Sequence, residues 1–188
     1  GSDRAILKDI QTFINQPDLK IKALTFDGVK SNLILPKINL SIYTFTFLFK
    51  TGKVERQSLA FSKKGNWKLD LNNSKVRFII NDEIITNNEL VDKDQWCQVA
   101  IKIEPNKSTL YVNGKEKVKQ MTNDSKTEHI IMGTDKDNKF PFMGHIGGVK
   151  ILKNIIERSN LCNAYLEGVS DTIYKSRFCK EPPKPQPI

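Results

Sequence analysis

Short runs of alternating apolar and polar residues occupy most of the chain from Leu19 onward. Turn-forming residues separate these runs at intervals of about ten residues, which is typical of an all-β sandwich or barrel. The clearest run places Phe45, Phe47 and Phe49 on one face of a strand, with Thr46 on the other. An aromatic stripe of this period favours a buried core face over a ligand platform. The pattern predicts strands at Ala23–Phe26, Asn32–Leu35, Tyr43–Lys50, Gln57–Ser62, Trp67–Leu71, Lys75–Ile80, Gln95–Glu104, Thr109–Val112, His129–Met132 and Phe142–Leu152.

Two segments have helical spacing instead. The apolar residues of 3–16 recur at helical intervals and Pro17 ends the run, which predicts one amphipathic helix packed on the sandwich. Residues 154–168 predict a second, short helix that Gly168 closes in a left-handed conformation.

The chain divides into three parts on this reading. Residues 1–18 comprise a cloning scar, Gly1-Ser2, and the N-terminal helix; residues 19–168 form the β-sandwich; residues 169–188 form a return segment and a proline-rich linker. A length of 188 residues with 38% hydrophobic content suits a single domain cut from a longer protein.

Asn113-Gly114 supplies the backbone freedom that a tight hairpin needs. A two-residue turn would place three lysines of the returning strand on the inward side, with Leu110. A three-residue turn with a glycine bulge would instead return Val118 to that side and leave the lysines beside Tyr111. We favour the second register. The lysines are Lys115, Lys117 and Lys119.

The net charge of +9 consists mostly of lysine, since the chain has only five arginines. This positive charge has two possible explanations. Codon bias can enrich lysine on a solvated surface, or the lysines can attract an anionic partner. Recognition of phosphate or sulfate groups would be expected to use more arginine. The basic residues are not interleaved with stacking aromatics, so we expect no nucleic-acid binding. No apolar run approaches the roughly 20 residues of a membrane span, so we expect no direct membrane insertion.

Three cysteines are too few for a disulfide scaffold. Cys97 shares the inward parity of Val99 and Ile101, which predicts a buried free thiol. A disulfide between Cys162 and Cys179 would tie the C-terminal segment to the domain, and it would suit a secreted or cell-surface protein.

The order of these strands resembles the laminin G-like branch of the concanavalin A-like lectin and glucanase superfamily. That resemblance implies a two-sheet antiparallel jelly-roll β-sandwich over residues 19–168 and a role in extracellular recognition. The segments that carry it are Ala23–Gly28, Leu33–Pro36, Tyr43–Phe47, Trp96–Ile103, Thr109–Lys115, Ile130–Gly133 and Pro141–Ile151.

Some relatives of this fold hydrolyse polysaccharides, which requires two carboxylates about 5 to 10 Å apart around one glycosidic bond. On a strand, such acids must lie two positions apart, because only alternate residues share a face. The chain lacks that pattern, and the adjacent Asp82 and Glu83 point to opposite faces. Cys97 has an inward parity, and the two histidines have no zinc-binding spacing. We therefore expect a protein that is not an enzyme.

The resemblance also implies calcium as a candidate cofactor, because many relatives hold it at the loop rim. The hard oxygen ligands available for it are Asp135, Asp137 and Asn138, although Lys136 and Lys139 oppose a cation. A solvated turn without metal is the alternative reading.

Two functions remain open. One is an adhesion module that binds glycans or glycosaminoglycans on a cell surface, through lysines placed beside aromatic rings. The other is a purely architectural protein–protein interaction domain of a surface protein complex. The candidate ligand-binding residues are Lys63, Lys64, Trp67, Lys68, Tyr111, Lys115, Lys117 and Lys119.

Overall fold

The computed structural model describes residues 6–8, 10–16, 21–38, 40–64, 66–122 and 129–153. Within these ranges the chain forms fourteen β-strands and no helix. The strands are β1 (Ile6–Lys8), β2 (Gln11–Gln16), β3 (Ile21–Asp27), β4 (Asn32–Ile34), β5 (Tyr43–Lys50), β6 (Gln57–Ser62), β7 (Trp67–Asn72), β8 (Lys75–Ile80), β9 (Glu83–Thr86), β10 (Cys97–Ile103), β11 (Lys107–Val112), β12 (Lys115–Gln120), β13 (Ile130–Met132) and β14 (Met143–Leu152).

The strands form two seven-stranded antiparallel sheets. The first sheet has the order β1-β4-β13-β6-β7-β8-β9, and the second has the order β12-β11-β10-β5-β14-β3-β2. Neighbouring strands are often far apart in sequence, as where β14 pairs with both β3 and β5. The predicted two-sheet jelly-roll sandwich is confirmed.

The aromatic stripe of β5 lies in the core between the sheets. Phe45, Phe47 and Phe49 are fully buried, and the Phe45 ring centre lies 6.0 Å from that of Trp67 on the facing sheet. Burying one such side chain contributes about 1.5–3 kcal/mol to folding. Cys97 is a buried thiol, as its parity predicted.

The predicted N-terminal helix is wrong for the described part of residues 3–16. β1 pairs with β4 at one edge of the first sheet, and β2 pairs with β3 at one edge of the second. The segment has three isoleucines and one threonine, and these β-branched residues favour strands over helices. A helix of about this length is marginal in isolation, whereas each sheet edge offers a row of hydrogen-bonding partners.

The predicted register of the hairpin between β11 and β12 is also wrong. Val112 pairs with Lys115 and Leu110 pairs with Lys117, so the turn has two residues. Asn113 and Gly114 have φ values of 49° and 83°. Positive φ at both central residues is the geometry that matches the twist of a two-residue hairpin, so no bulge is needed.

This register turns the lysines of β12 toward the first sheet, where they meet carboxylates. Lys115 Nζ lies 3.0 Å from Glu89 Oε2, and Lys119 Nζ lies 3.6 Å from Glu83 Oε2. β12 is the edge strand, so its inward side chains extend past the core and connect the two sheets. This is why lysine is tolerated at positions of inward parity.

The C-terminal predictions lie outside the described residues. These are the short helix at 154–168, the disulfide between Cys162 and Cys179, and the return segment and linker at 169–188.

The outward faces of the two sheets differ in exposure. On the second sheet, Thr46, Gln98 and Ala100 point away from the core, yet each has 0% exposure. On the first sheet, Ile79 is partly exposed and Ile84 is 52% exposed. A ligand can therefore reach the outward face of the first sheet but not these positions on the second.

Candidate functional site

A row of cross-strand neighbours crosses the exposed face of the first sheet, and we call it the outer row. Each member pairs directly with the next, and all but one are apolar. The members are Ile34, Ile131, Phe61, Lys68, Ile79 and Ile84.

A cavity of about 300 Å³ lies over the middle of the outer row, and we call it the central pocket. Phe61 and Ile79 contribute apolar surface, and Lys68 lies between them. Its polar rim comes from the turn Asn81–Asp82 and the loop Asp135–Asp137. Most of the lining residues are polar or charged, so the pocket offers many hydrogen-bonding groups around a small apolar floor.

A partly buried ion pair lies beside the outer row. Asp70 is 5% exposed and accepts two hydrogen bonds from Arg77, from Nε at 2.7 Å and from Nη2 at 2.6 Å. These hydrogen bonds raise the pKa of the Arg77 guanidinium, while burial opposes the rise. Fork-to-carboxylate pairing of this kind fixes both side chains. The pair therefore forms a rigid and electrically balanced part of the sheet surface.

Arg56 stacks on Phe140 next to this ion pair. The guanidinium Cζ lies 3.9 Å from the ring centre, within the range of cation–π attraction. A small cleft, here called the Arg56 cleft, is lined by both residues together with Ser58 and Asp70. Its other lining residues, Lys68 and Asp135, also line the central pocket, so the two cavities adjoin.

The sequence predicted four ligand-binding residues near this region. Lys68 lies in the central pocket, while Lys63 and Lys64 are exposed on the turn after β6. Trp67 borders the pocket but is only 2% exposed, and its Nε1–H donates a 2.8 Å hydrogen bond to the Tyr43 hydroxyl. The Trp67 ring therefore belongs to the core and presents no face for a ligand to stack on.

The second predicted cluster does not form a free basic ridge. Tyr111 is 2% exposed and donates a 2.7 Å hydrogen bond to Glu116, its cross-strand partner. Lys115 and Lys119 pair with glutamates as described above, whereas Lys117 is exposed. The structure thus separates these residues from the central pocket and engages most of them in interactions within the fold.

The predicted calcium ligands lie in the loop that rims the central pocket. Asp135 Oδ1 accepts hydrogen bonds from the backbone N–H groups of Asp137 and Lys139, at 2.9 and 2.7 Å. Asn138 adopts φ 58° in the same turn. In the described part of the chain, no three His, Cys, Asp or Glu residues lie together as metal ligands would. Calcium binding by Asp135, Asp137 and Asn138 stays a prediction.

Two titratable groups have shifted pKa values at the ends of strands. Asp27 Oδ1 accepts backbone hydrogen bonds from Val29, Lys30 and Ser31, which hold the pKa of that carboxyl well below its usual range. Burial and then the charge of Lys50 lower the pKa of His145. Both groups act on stability rather than on the central pocket.

Arg56 and Phe140 were not among the residues selected from the sequence. They are 84 positions apart, and no local pattern joins them. The scarcity of arginine was the one available signal, because each arginine in a lysine-rich chain is a candidate for a specific role. Asp70 and Arg77 were not selected from the sequence either, although both take the outward parity of strands joined by a short turn.

In the described residues, no helix is long and apolar enough to span a membrane.

Three solved structures share the fold of this chain. Domain 4 of AbnA, an extracellular arabinanase from Geobacillus stearothermophilus, was solved in complex with arabinotriose; its TM-score is 0.63 at 17% identity, covering 87% of this chain and 82% of that one. The receptor binding domain of botulinum neurotoxin mosaic serotype C/D has a TM-score of 0.63 at 16% identity, covering 86% of this chain and 45% of that one. Mouse laminin alpha1 domains LG4-5 have a TM-score of 0.58 at 16% identity, covering 74% of this chain and 44% of that one.

The chain spans somewhat under half the length of the neurotoxin and laminin chains. At these identities the similarity establishes the fold alone. No curated protein matches the sequence. A family model of laminin G type, described as the concanavalin A-like lectin/glucanases superfamily, matches residues 26–161. This match covers most of the chain and agrees with its two antiparallel sheets, so the protein belongs to the laminin G-like branch of the concanavalin A-like superfamily.

Proposed function

We propose that this domain is a non-catalytic extracellular recognition module that binds a glycan in the central pocket. The observation that carries the proposal is the pocket itself, which lies on the open outward face of the first sheet. Laminin G-like domains are typically extracellular and generally serve in binding, although their superfamily also contains glycosidases. The arabinotriose in AbnA domain 4 supports a sugar ligand by analogy of fold.

The lining of the central pocket suits a sugar ring. Phe61 and Ile79 offer apolar surface that can cover the C–H face of the ring. The Asn81 amide can donate to and accept from hydroxyl groups, and the Asp82 carboxylate can accept from them. A volume of about 300 Å³ is at the lower end of the range for small-molecule sites. The pocket therefore fits a short segment of a glycan.

The surroundings of the pocket carboxylates favour binding over hydrolysis. Asp82 and Asp137 are exposed to solvent, and Asp135 has one oxygen committed to its own loop. A glycosidase needs one carboxylic acid desolvated enough to keep its proton near neutral pH. We expect no release of sugars when the protein is incubated with any oligosaccharide that it binds.

Replacing the apolar floor tests the proposal. Ile79→Ser removes a floor contact at a partly exposed position and should weaken binding of the best ligand from a glycan array about tenfold, the usual cost of losing one apolar contact in a pocket. Ile84→Ser is the matched control, because Ile84 belongs to the same outer row but does not line the pocket. Affinities are measured by isothermal titration in 150 mM NaCl, with and without calcium.

The proposal fails if no glycan on the array binds at that salt concentration, or if Ile79→Ser binds as the unaltered protein does. Retention on heparin that disappears near physiological salt would not count as binding, because exposed charge alone produces it. An affinity lost in chelator would support the calcium site at Asp135, Asp137 and Asn138. Unchanged heat and melting temperature in chelator would argue against that site.

A second candidate is a protein partner, and the length of the outer row favours it. The row continues beyond the pocket to Ile34 on one side and to the 52% exposed Ile84 on the other, which is longer than a sugar needs. Exposed apolar residues with polar ones around them are a usual mark of protein interfaces. In that case Ile84→Ser should weaken partner binding as much as Ile79→Ser, and the glycan array should show no ligand.

A further inference from the structure

The guanidinium of Arg56 has donors that the fold does not use. It is 44% exposed, and its Nε lies 3.9 Å from Asp70 Oδ2, which is too far for a hydrogen bond. Asp70 already accepts two short hydrogen bonds from Arg77. Among the described residues, Arg56 has ring contact with Phe140 but no side-chain hydrogen bond. The planar guanidinium fork of Arg56 is therefore held in place, and its N–H donors can still bind a ligand.

Phe140 holds that fork through a strained backbone. Its φ of 53° lies in the left-handed region, which bulky residues rarely adopt. Residues with such strained backbones cluster at active sites and ligand sites. The Phe140 carbonyl accepts a 2.7 Å hydrogen bond from the Ser58 N–H, which ties this loop to β6. The fold thus keeps the ring fixed under Arg56, and an arginine held on an aromatic face loses less freedom when it binds an anion.

The charges around the Arg56 cleft leave it positive. Asp70 lies within ion-pair distance of both Arg56 and Arg77, and Lys68 and Asp135 also line the cleft. Three cations therefore face two carboxylates, which leaves one net positive charge. One oxygen of Asp135 is already engaged by two backbone N–H groups. The cleft is small and adjoins the central pocket through Lys68 and Asp135, so Arg56 lies at the border of that pocket.

We propose that Arg56 forms an anion subsite beside the central pocket and makes the domain selective for acidic glycans. The guanidinium fork binds a carboxylate or sulfate group through two parallel hydrogen bonds, while the sugar ring that carries the group lies on the pocket floor. This inference rests on the proposed function, because it assumes that the central pocket holds a glycan.

Three heparin-derived oligosaccharides of equal length distinguish the possible anions. The first is fully sulfated, the second is desulfated and N-acetylated so that only carboxylates remain, and the third is also carboxyl-reduced and therefore uncharged. Isothermal titration in 150 mM NaCl should give at least about tenfold tighter binding of one charged probe than of the uncharged one. Both charged probes carry carboxylates, so tight binding of both identifies carboxylate as the recognised group. Tight binding of the fully sulfated probe alone identifies sulfate.

Arg56→Lys is the decisive variant, because it keeps the positive charge and removes the planar fork. In this variant, the affinity for each charged probe should fall to within about threefold of the affinity for the uncharged probe. Lys117→Ala, which removes an exposed charge from edge strand β12, should keep the full preference. Thermal unfolding of Arg56→Lys near the temperature of the unaltered protein shows that the fold is retained.

The inference is overturned if Arg56→Lys keeps the preference, if Lys117→Ala loses it equally, or if no charged probe binds more tightly than the uncharged one. The glycan array and the Ile79→Ser variant judge the proposed function separately. Binding of uncharged sugars that depends on Ile79 but not on Arg56 would uphold the pocket and reject the anion subsite.

Discussion

His145 is a single residue whose surroundings make stability depend on pH near neutrality. It lies on β14 between β3 and β5, with its Nδ1 3.1 Å from Thr25 Oγ1 and Lys50 as its cross-strand neighbour. Burial, and secondarily the charge of Lys50, lower its pKa. The unfolded chain has the ordinary pKa of about 6.5, so it binds the proton more readily than the folded chain does. The contribution of His145 to stability is therefore fully present above pH 6.5. It is lost as pH falls from about 6.5 toward the lower pKa of the folded state.

We expect the free energy of unfolding in urea to be lower at pH 5.0 than at pH 7.5, and His145→Gln to remove part of that difference. Because the ring is partly exposed, the effect should stay below about 1 kcal/mol. Asp27 does not contribute in this window: its pKa is depressed, so its stabilisation is lost only as pH falls below the ordinary carboxyl range of about 4. His129→Gln is the control for loss of an imidazole. A full pH dependence retained in His145→Gln would contradict this account.

The hairpin of β11 and β12 shows what sequence patterns can and cannot predict about an element. The sequence identifies the turn residues Asn113 and Gly114 but not the register, because three lysines at inward positions favour a bulge. That parity argument assumes that every inward position reaches the core. At an edge strand, the side chain of Lys115 extends past the core to Glu89, in the loop that follows β9 of the other sheet. This contact depends on how the two sheets pack.

Asn113 also anchors this element to β10. Its side-chain Oδ1 accepts a 2.9 Å hydrogen bond from the Gln98 N–H, and Asn113 is 4% exposed. Asn113→Ala leaves that buried donor without its partner and puts alanine at positive φ, so we expect it to lower the free energy of unfolding by about 2 kcal/mol.

Asn138→Ala is the matched control for that substitution, because Asn138 has a similar φ of 58° but is exposed. It should cost about 1 kcal/mol or less, from the backbone conformation alone. Chemical denaturation of both variants measures the difference. Equal losses would show that the hydrogen bond to Gln98 contributes nothing.

At the scale of the whole molecule, the fold was predictable and the binding face was not. The ordered strand motifs predicted the sandwich, because period-two alternation and turn residues are local signals. The central pocket joins β6, β7 and β8 to the loop at Asp135, and the Arg56 cleft joins residues 84 positions apart. Trp67 was predicted to bind a ligand because lysines flank it in the sequence. In the structure its side chain points into the core, as the alternation along β7 requires.

The most direct test of the central claim is to locate the bound glycan on the molecule. The uniformly ¹⁵N-labelled protein is titrated with the tightest ligand from the array, and amide chemical shifts are followed by NMR. We predict that the largest changes occur around the central pocket, at Phe61, Lys68, Ile79 and Asp135. Changes confined to the second sheet, at Thr46, Gln98 and Ala100, would contradict the assignment of the binding face.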